Sequence, residues 1–131
     1  MANKFGAALR NQMAVSLASA LSSGVIKLFS GATPVNCQAA DPAGELASGT
    51  LPAIAAITTS GEVLKSGSWL FTGSAAGNAQ SFRIYDSSLV CIHQGTVSEV
   101  SMGGDMVIDT VEITPAQAGE VIGYAITIGG A

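Results

Sequence analysis

Hydrophobic and polar positions divide the chain into two unlike parts that meet at Gly24. Before it, Phe5, Leu9, Met13, Leu17 and Leu21 recur every four residues, with Ala8 and Ala20 beside them. That spacing predicts an amphipathic helix within residues 1–24, its apolar stripe running along about five turns. Asn3 is a suitable N-cap, and Gly24 suits the left-handed position that stops a helix. A helix of this length is marginal in water unless its stripe is packed, on its own domain or on a neighbour. Phe5, Leu9, Met13, Leu17 and Leu21 are therefore the candidate interaction residues.

The same segment also has features of a secretory leader. Lys4 and Arg10 precede the apolar run Met13–Leu21, and Ala18-Ser19-Ala20 fits an A-x-A processing site. Ser16 and Ser19 interrupt that run, however, and a leader needs no one-sided facing. The retained helix is the preferred reading. Under the alternative, the mature chain would begin near Leu21.

After Gly24 the period shortens to two. Val25–Phe29 reads as a strand ending at the turn signal Ser30-Gly31-Ala32-Thr33-Pro34, and residues 35–50 read as a loop. Leu51–Thr58 and Ser68–Thr72 read as strands. The clearest hairpin pairs Ala79–Tyr85 with Leu89–Gly95 around Asp86-Ser87-Ser88. Its first arm sets Phe82 and Ile84 against Arg83 and Tyr85; its second sets Val90 and Ile92 against Leu89, Cys91 and His93. Met106–Ile113 is a further strand whose apolar pairs fall out of phase, which predicts a bulge near Thr110, and Glu120–Ile128 returns as the last. The expected fold is mainly β: an antiparallel β-sandwich of jelly-roll or Greek-key type over residues 25–131, preceded by an N-terminal amphipathic α-helix in the arm 1–24.

Composition adds that the surface is sparsely charged. Charged residues make up 11% of the 131, against roughly 25% in ordinary soluble domains, which favours association over free solubility. Residues 1–40 hold Lys4, Arg10 and Lys27 and no acid, whereas residues 41–131 hold Lys65 and Arg83 against all nine acids. An acidic body with a mildly basic arm has no phosphate-binding footprint, so nucleic acid is not an expected partner. No apolar run approaches the ~18 residues needed to span a bilayer, so neither is a membrane.

Candidate chemistry is thin. Gly-x-Ser-x-Gly, a P-loop and Gly-x-Gly-x-x-Gly are absent from the sequence. A Ser-His-Asp grouping would have to use His93, the one histidine, which falls within a strand and reads as structural. Asp105 and Asp109 share a strand face. With Glu99 or Glu112 they could offer oxygens to Ca²⁺, yet they lack the spacing of a calcium loop, and a solvated edge is the preferred reading. Trp69 and Tyr85 could stack on a sugar ring, but a Trp in a small β domain is more often core. Cys37 and Cys91 allow one disulfide; free, semi-buried thiols in a reducing cytosol are preferred. The expectation is no enzyme, no cofactor and no metal.

Certain segments, in order, carry a resemblance. They are Ala8-Leu9-Arg10-Asn11-Gln12-Met13-Ala14, Val25–Phe29 followed by Ser30-Gly31-Ala32-Thr33-Pro34, Gly49-Thr50-Leu51, SFRIYDSSLVCIHQGTV (Ser81–Val97) and GGDMVIDTVEITPAQAGEVI (Gly103–Ile122). Together they resemble a family of small tailed-bacteriophage and prophage proteins that are structural parts of the virion. The resemblance implies a capsid decoration, or cement, protein that binds the assembled shell. Its partners would be the major capsid protein and neighbouring copies of itself, as a homodimer or homotrimer. It implies a virion location after synthesis in the host cytoplasm. A tail, neck or fibre-associated role is the alternative within that class. Outside it stands a secreted surface- or carbohydrate-binding module, with a cleaved leader and a Cys37–Cys91 bridge. An enzyme using His93 is a third reading.

Overall fold

The computed structural model describes residues 6–59, 62–99 and 104–127. Among them are one helix, α1 (Ala7–Leu21), and the strands β1 (Val25–Phe29), β2 (Glu45–Thr50), β3 (Ala56–Thr59), β4 (Glu62–Lys65), β5 (Trp69–Gly73), β6 (Gly77–Asn78), β7 (Ser81–Tyr85), β8 (Cys91–Ser98), β9 (Met106–Ile108), β10 (Glu112–Ile113) and β11 (Ala118–Thr127). The protein is mainly β with an N-terminal helix.

The strands close on themselves rather than separating into the two facing sheets of a jelly-roll sandwich. Around the ring run β11, β5, β2, β1, β7, β8 and β9, and β9 pairs back onto β11. The physical reason lies in β11. Its Ala118–Val121 segment pairs with β5, while Val121–Tyr124 pairs with β9, with a register shift between Val121 and Gly123. One long strand thus bonds along both sides and removes the free edges that a pair of open sheets would leave. Its last residues extend beyond the ring to pair with β4, which pairs with β3. β8 and β9 form the one parallel contact among the described strands, limited to Val97↔Met106 and Ser98↔Val107.

Several elements depart from the pattern read along the chain. Glu45–Thr50, expected as loop, is a strand inside the ring. Its Ala, Ser and Gly content hides it, but Gly49 lies where any Cβ would collide with the Leu70 carbonyl on β5, so smallness there is a packing requirement. The strand expected over Leu51–Thr58 is confined to Ala56–Thr59. Glu62–Lys65 is a strand that carries no distinctive pattern. The expected bulged strand Met106–Ile113 is two elements: β9 in the barrel wall and β10, which pairs instead with β6.

The barrel is filled by Ile26, Leu28, Trp69, Phe82, Ile84, Met106, Ile108 and Val121, all with no exposed surface. Ala14 and Leu21 of α1 belong to the same core cluster, with Leu17 and Ala18 packed against it, and the helix lies on β3 and β4. Arm and body share one core.

The helix does not use the stripe expected of it. At about 100° per residue, each step of four advances the side chain by about 40°, so Leu9 and Leu21 diverge by about 120°. The buried face runs through Ala14, Leu17, Ala18 and Leu21, whereas Leu9 and Met13 are exposed. Phe5 and Asn3 lie outside the described residues. Gly6 is the N-cap, without a side-chain capping bond. The left-handed residue after the helix is Ser23 (φ 57°), not Gly24. Gly24 is required for a different reason: a Cβ there would meet the Tyr85 carbonyl.

Candidate interaction surface

Exposed apolar side chains gather where α1 meets β3. A shallow groove of about 270 Å³ is lined by Val15, Ala18, Ser19 and Ser22 from the helix and by Ala56, Ile57 and Thr58 from the strand. Val15 and Ile57, at the rim of this groove, are each 52% exposed; Leu9 (46%) and Met13 (37%) are exposed on the other flank of the helix, about 120° and about 160° around the axis from Val15. Of the five residues singled out from the sequence, the structure therefore separates Leu9 and Met13, on the open side, from Leu17 and Leu21, which hold the helix to the barrel. Val15 and Ile57, exposed at the groove, are apolar positions the sequence did not single out. They escaped the sequence reading because they follow no period shared with Leu9 and Met13.

On the opposite side of the β1–β7–β8 wall, the loop of residues 30–44 forms a strap. β7 is buried at every position: Phe82 and Ile84 enter the barrel core, while Ser81, Arg83 and Tyr85 face the strap. Arg83, 2% exposed, is the hub. Its Nη1 donates to Asp41 Oδ1 at 2.9 Å, Nη2 to the Asn36 carbonyl at 3.1 Å and Nε to Gln94 Oε1 at 3.1 Å. The Tyr85 hydroxyl donates to the same Asp41 oxygen at 2.6 Å, and Gln94 Nε2 donates to the Pro34 carbonyl at 2.7 Å. The Tyr85 hydrogen bond, supported by the Arg83 charge and opposed by burial, holds the Asp41 carboxyl below its usual range. Burial, and then the Asp41 contact, push the Tyr85 phenol well above its own. Lys27, the cross-strand neighbour of Arg83, pairs with Glu45 at 3.3 Å.

Cys37 of the strap and Cys91 of β8 form a disulfide, their Cα atoms 5.4 Å apart. The free thiols preferred from the sequence are not found. The register of β8 explains how Cys91 reaches the strap. His93 pairs with Ile84 and Cys91 pairs with Tyr85, so the ladder skips Ile92. Strict alternation would place Cys91 on the inward face beside His93; the bulge turns it outward.

The remaining candidates have structural partners. Trp69 is fully buried, and its Nε1 donates to the carbonyls of Ala55 and Ser66, which leaves no ring face for a sugar. His93 lies among Phe82 and Tyr124, with Nδ1 sharing a hydrogen bond of 2.9 Å with the Tyr124 hydroxyl. Burial lowers its pKa, opposed by the charge of Asp105.

Asp105 accepts from the Thr96 backbone amide and hydroxyl. Asp109 accepts from the Thr110 amide, and Glu99 from the Val111 amide. Among the described residues no group of three or more His, Cys, Asp or Glu is placed to hold a metal ion, and no helix is long and apolar enough to cross a membrane. Comparison of the chain with known protein families, with curated proteins and with solved structures finds no match.

Proposed function

We propose that this protein is a non-catalytic adhesive subunit of a tailed-bacteriophage virion, acting as a capsid decoration protein that binds and stabilises the assembled shell. The observation that carries the reading is the groove between α1 and β3, rimmed by the exposed apolar side chains of Val15 and Ile57. A filled barrel with sparse charge is suited to contact rather than turnover. Edge strand β3 offers a backbone to which a capsid segment can add. Symmetry-related contacts would multiply a modest individual affinity, and closed dimers or trimers are the expected self-association.

Particles stripped of the protein should release DNA at a lower temperature, and adding it back should restore the original value. A Val15→Asp/Ile57→Asp variant, altered at two exposed positions of the groove, should fold normally yet fail to restore it. Unchanged thermal release from stripped particles would overturn the proposal.

A secreted binding module is the second reading, favoured by the Cys37–Cys91 bridge, since disulfides persist in oxidising compartments. Processing near Leu21 would strip Ala14, Leu17 and Ala18 from the core. The mass of the natural protein separates the two: an intact helix supports the virion reading, and a chain beginning near Leu21 supports the module.

A further inference from the structure

We infer that the Cys37–Cys91 bond is a lock closed after folding: the strap's polar clamp assembles first and holds the two thiols in bonding position, and an oxidising medium then joins them.

Each cysteine is held in place by contacts that do not involve the other. Cys37 is bracketed along the strap. Before it, the carbonyls of Pro34 and Asn36 are held by Gln94 and Arg83; after it, the Asp41 carboxylate is held by Arg83 and Tyr85. The strap's base is closed separately. Ser30 and Gly31 donate their amides to the carbonyls of Gly44 and Ala43, Ser81 donates to the Gly31 carbonyl, and Thr33 donates to the Gly95 carbonyl.

Cys91 is fixed from the other side, because the bulge at Ile92 places it opposite Tyr85. None of these contacts involves sulfur. In the bonded structure the Cα atoms stand 5.4 Å apart, within the usual span of a disulfide, so the clamp's contacts and the bond call for the same backbone placement. Arg83 is nearly fully buried among its partners, so the clamp is specified by the fold itself.

Closure needs a disulfide oxidant, for which glutathione disulfide serves. One cysteine thiolate attacks it, forming a mixed disulfide and releasing one glutathione thiolate. The second cysteine thiolate attacks the protein sulfur of that mixed disulfide and displaces the other glutathione. The protein loses two electrons, glutathione disulfide gains them, and the two thiol protons pass to the released glutathiones.

The test is the effective concentration of the pair, read from the equilibrium between dithiol and disulfide forms in glutathione buffers after acid trapping. It is measured for the full chain in native buffer and again in guanidinium. A pre-assembled clamp should raise the native value over the unfolded one by roughly a hundredfold or more. Reduced wild-type protein and a Cys37→Ser/Cys91→Ser variant should both keep the near-UV circular dichroism of the oxidised protein. Asp41→Asn, which retains the side-chain shape, should lower the native effective concentration while leaving barrel amide protection unchanged.

Equal effective concentrations in the two media would overturn the inference. So would a reduced or double-serine chain that lacks the native signature, since the bond would then be a condition of folding rather than a lock upon it. An Asp41→Asn value equal to wild type would remove the clamp from the account.

Discussion

The Tyr124 hydroxyl meets His93 Nδ1 at 2.9 Å, and the two rings cross edge to face with centroids 5.7 Å apart. Trp69 stacks at a tilt on the same tyrosine at 4.9 Å. This arrangement gives the barrel an acid-sensitive point. Burial disfavours the charged form of His93, opposed by the nearby Asp105 charge, so its folded pKa lies below the unfolded value of 6.5. As pH falls below that unfolded value, the unfolded chain takes up the proton first, and stability drops until the folded histidine also titrates. Thermal midpoints should be level just above pH 6.5 and fall below it. His93→Gln should flatten that part of the profile, and an unchanged slope in the variant would assign the acid sensitivity elsewhere.

Arg83 is the second stability test. Removing its guanidinium leaves Asp41 without its cation and the Asn36 carbonyl and Gln94 amide oxygen without their donor. Arg83→Met should cost about 3–5 kcal/mol in denaturant unfolding. Arg83→Lys should recover only part of this, because one ammonium cannot reproduce a fork that reaches three partners. Lys27→Ala, which breaks the more exposed pair with Glu45, should cost no more than about 1 kcal/mol.

The two sides of α1 should respond in opposite ways. Leu21→Ala empties a fully buried site and should cost about 2–5 kcal/mol. Leu9→Ser and Met13→Ser should change monomer stability by about 0.5 kcal/mol or less. Urea unfolding of the three variants measures this directly. A large loss at Leu9 or Met13 would mean that this side is covered in solution.

Two glycines separate close backbone approach from mere smallness. Gly49→Ala drives a methyl into the Leu70 carbonyl on the neighbouring strand, where neither backbone can yield. A loss of about 3 kcal/mol is expected. At Gly123 an added Cβ would sit 3.6 Å from the nearest Val107 carbon, an ordinary contact, and Gly123→Ala should stay within about 0.5 kcal/mol. Thermal midpoints of the pair decide the point.

Local alternation was enough to find β1 and β7 and to sort Phe82 and Ile84 from Arg83 and Tyr85, because period-two chemistry is written residue by residue. The four-residue spacing likewise marked a helix within residues 1–24, where the structure describes Ala7–Leu21. It could not choose which face of that helix is buried: apolar residues spaced by four drift around the axis, and the packing of Ala14, Leu17, Ala18 and Leu21 on β3 and β4 settled the matter. Nor could it find β2, whose small residues are demanded by a neighbour's backbone rather than by any pattern of their own. Closure of the barrel depends on β11 bonding along both sides, and the Cys37–Cys91 bridge on a one-residue bulge at Ile92. Both are long-range pairing decisions, and register between distant strands leaves no trace in the order of residues along either one.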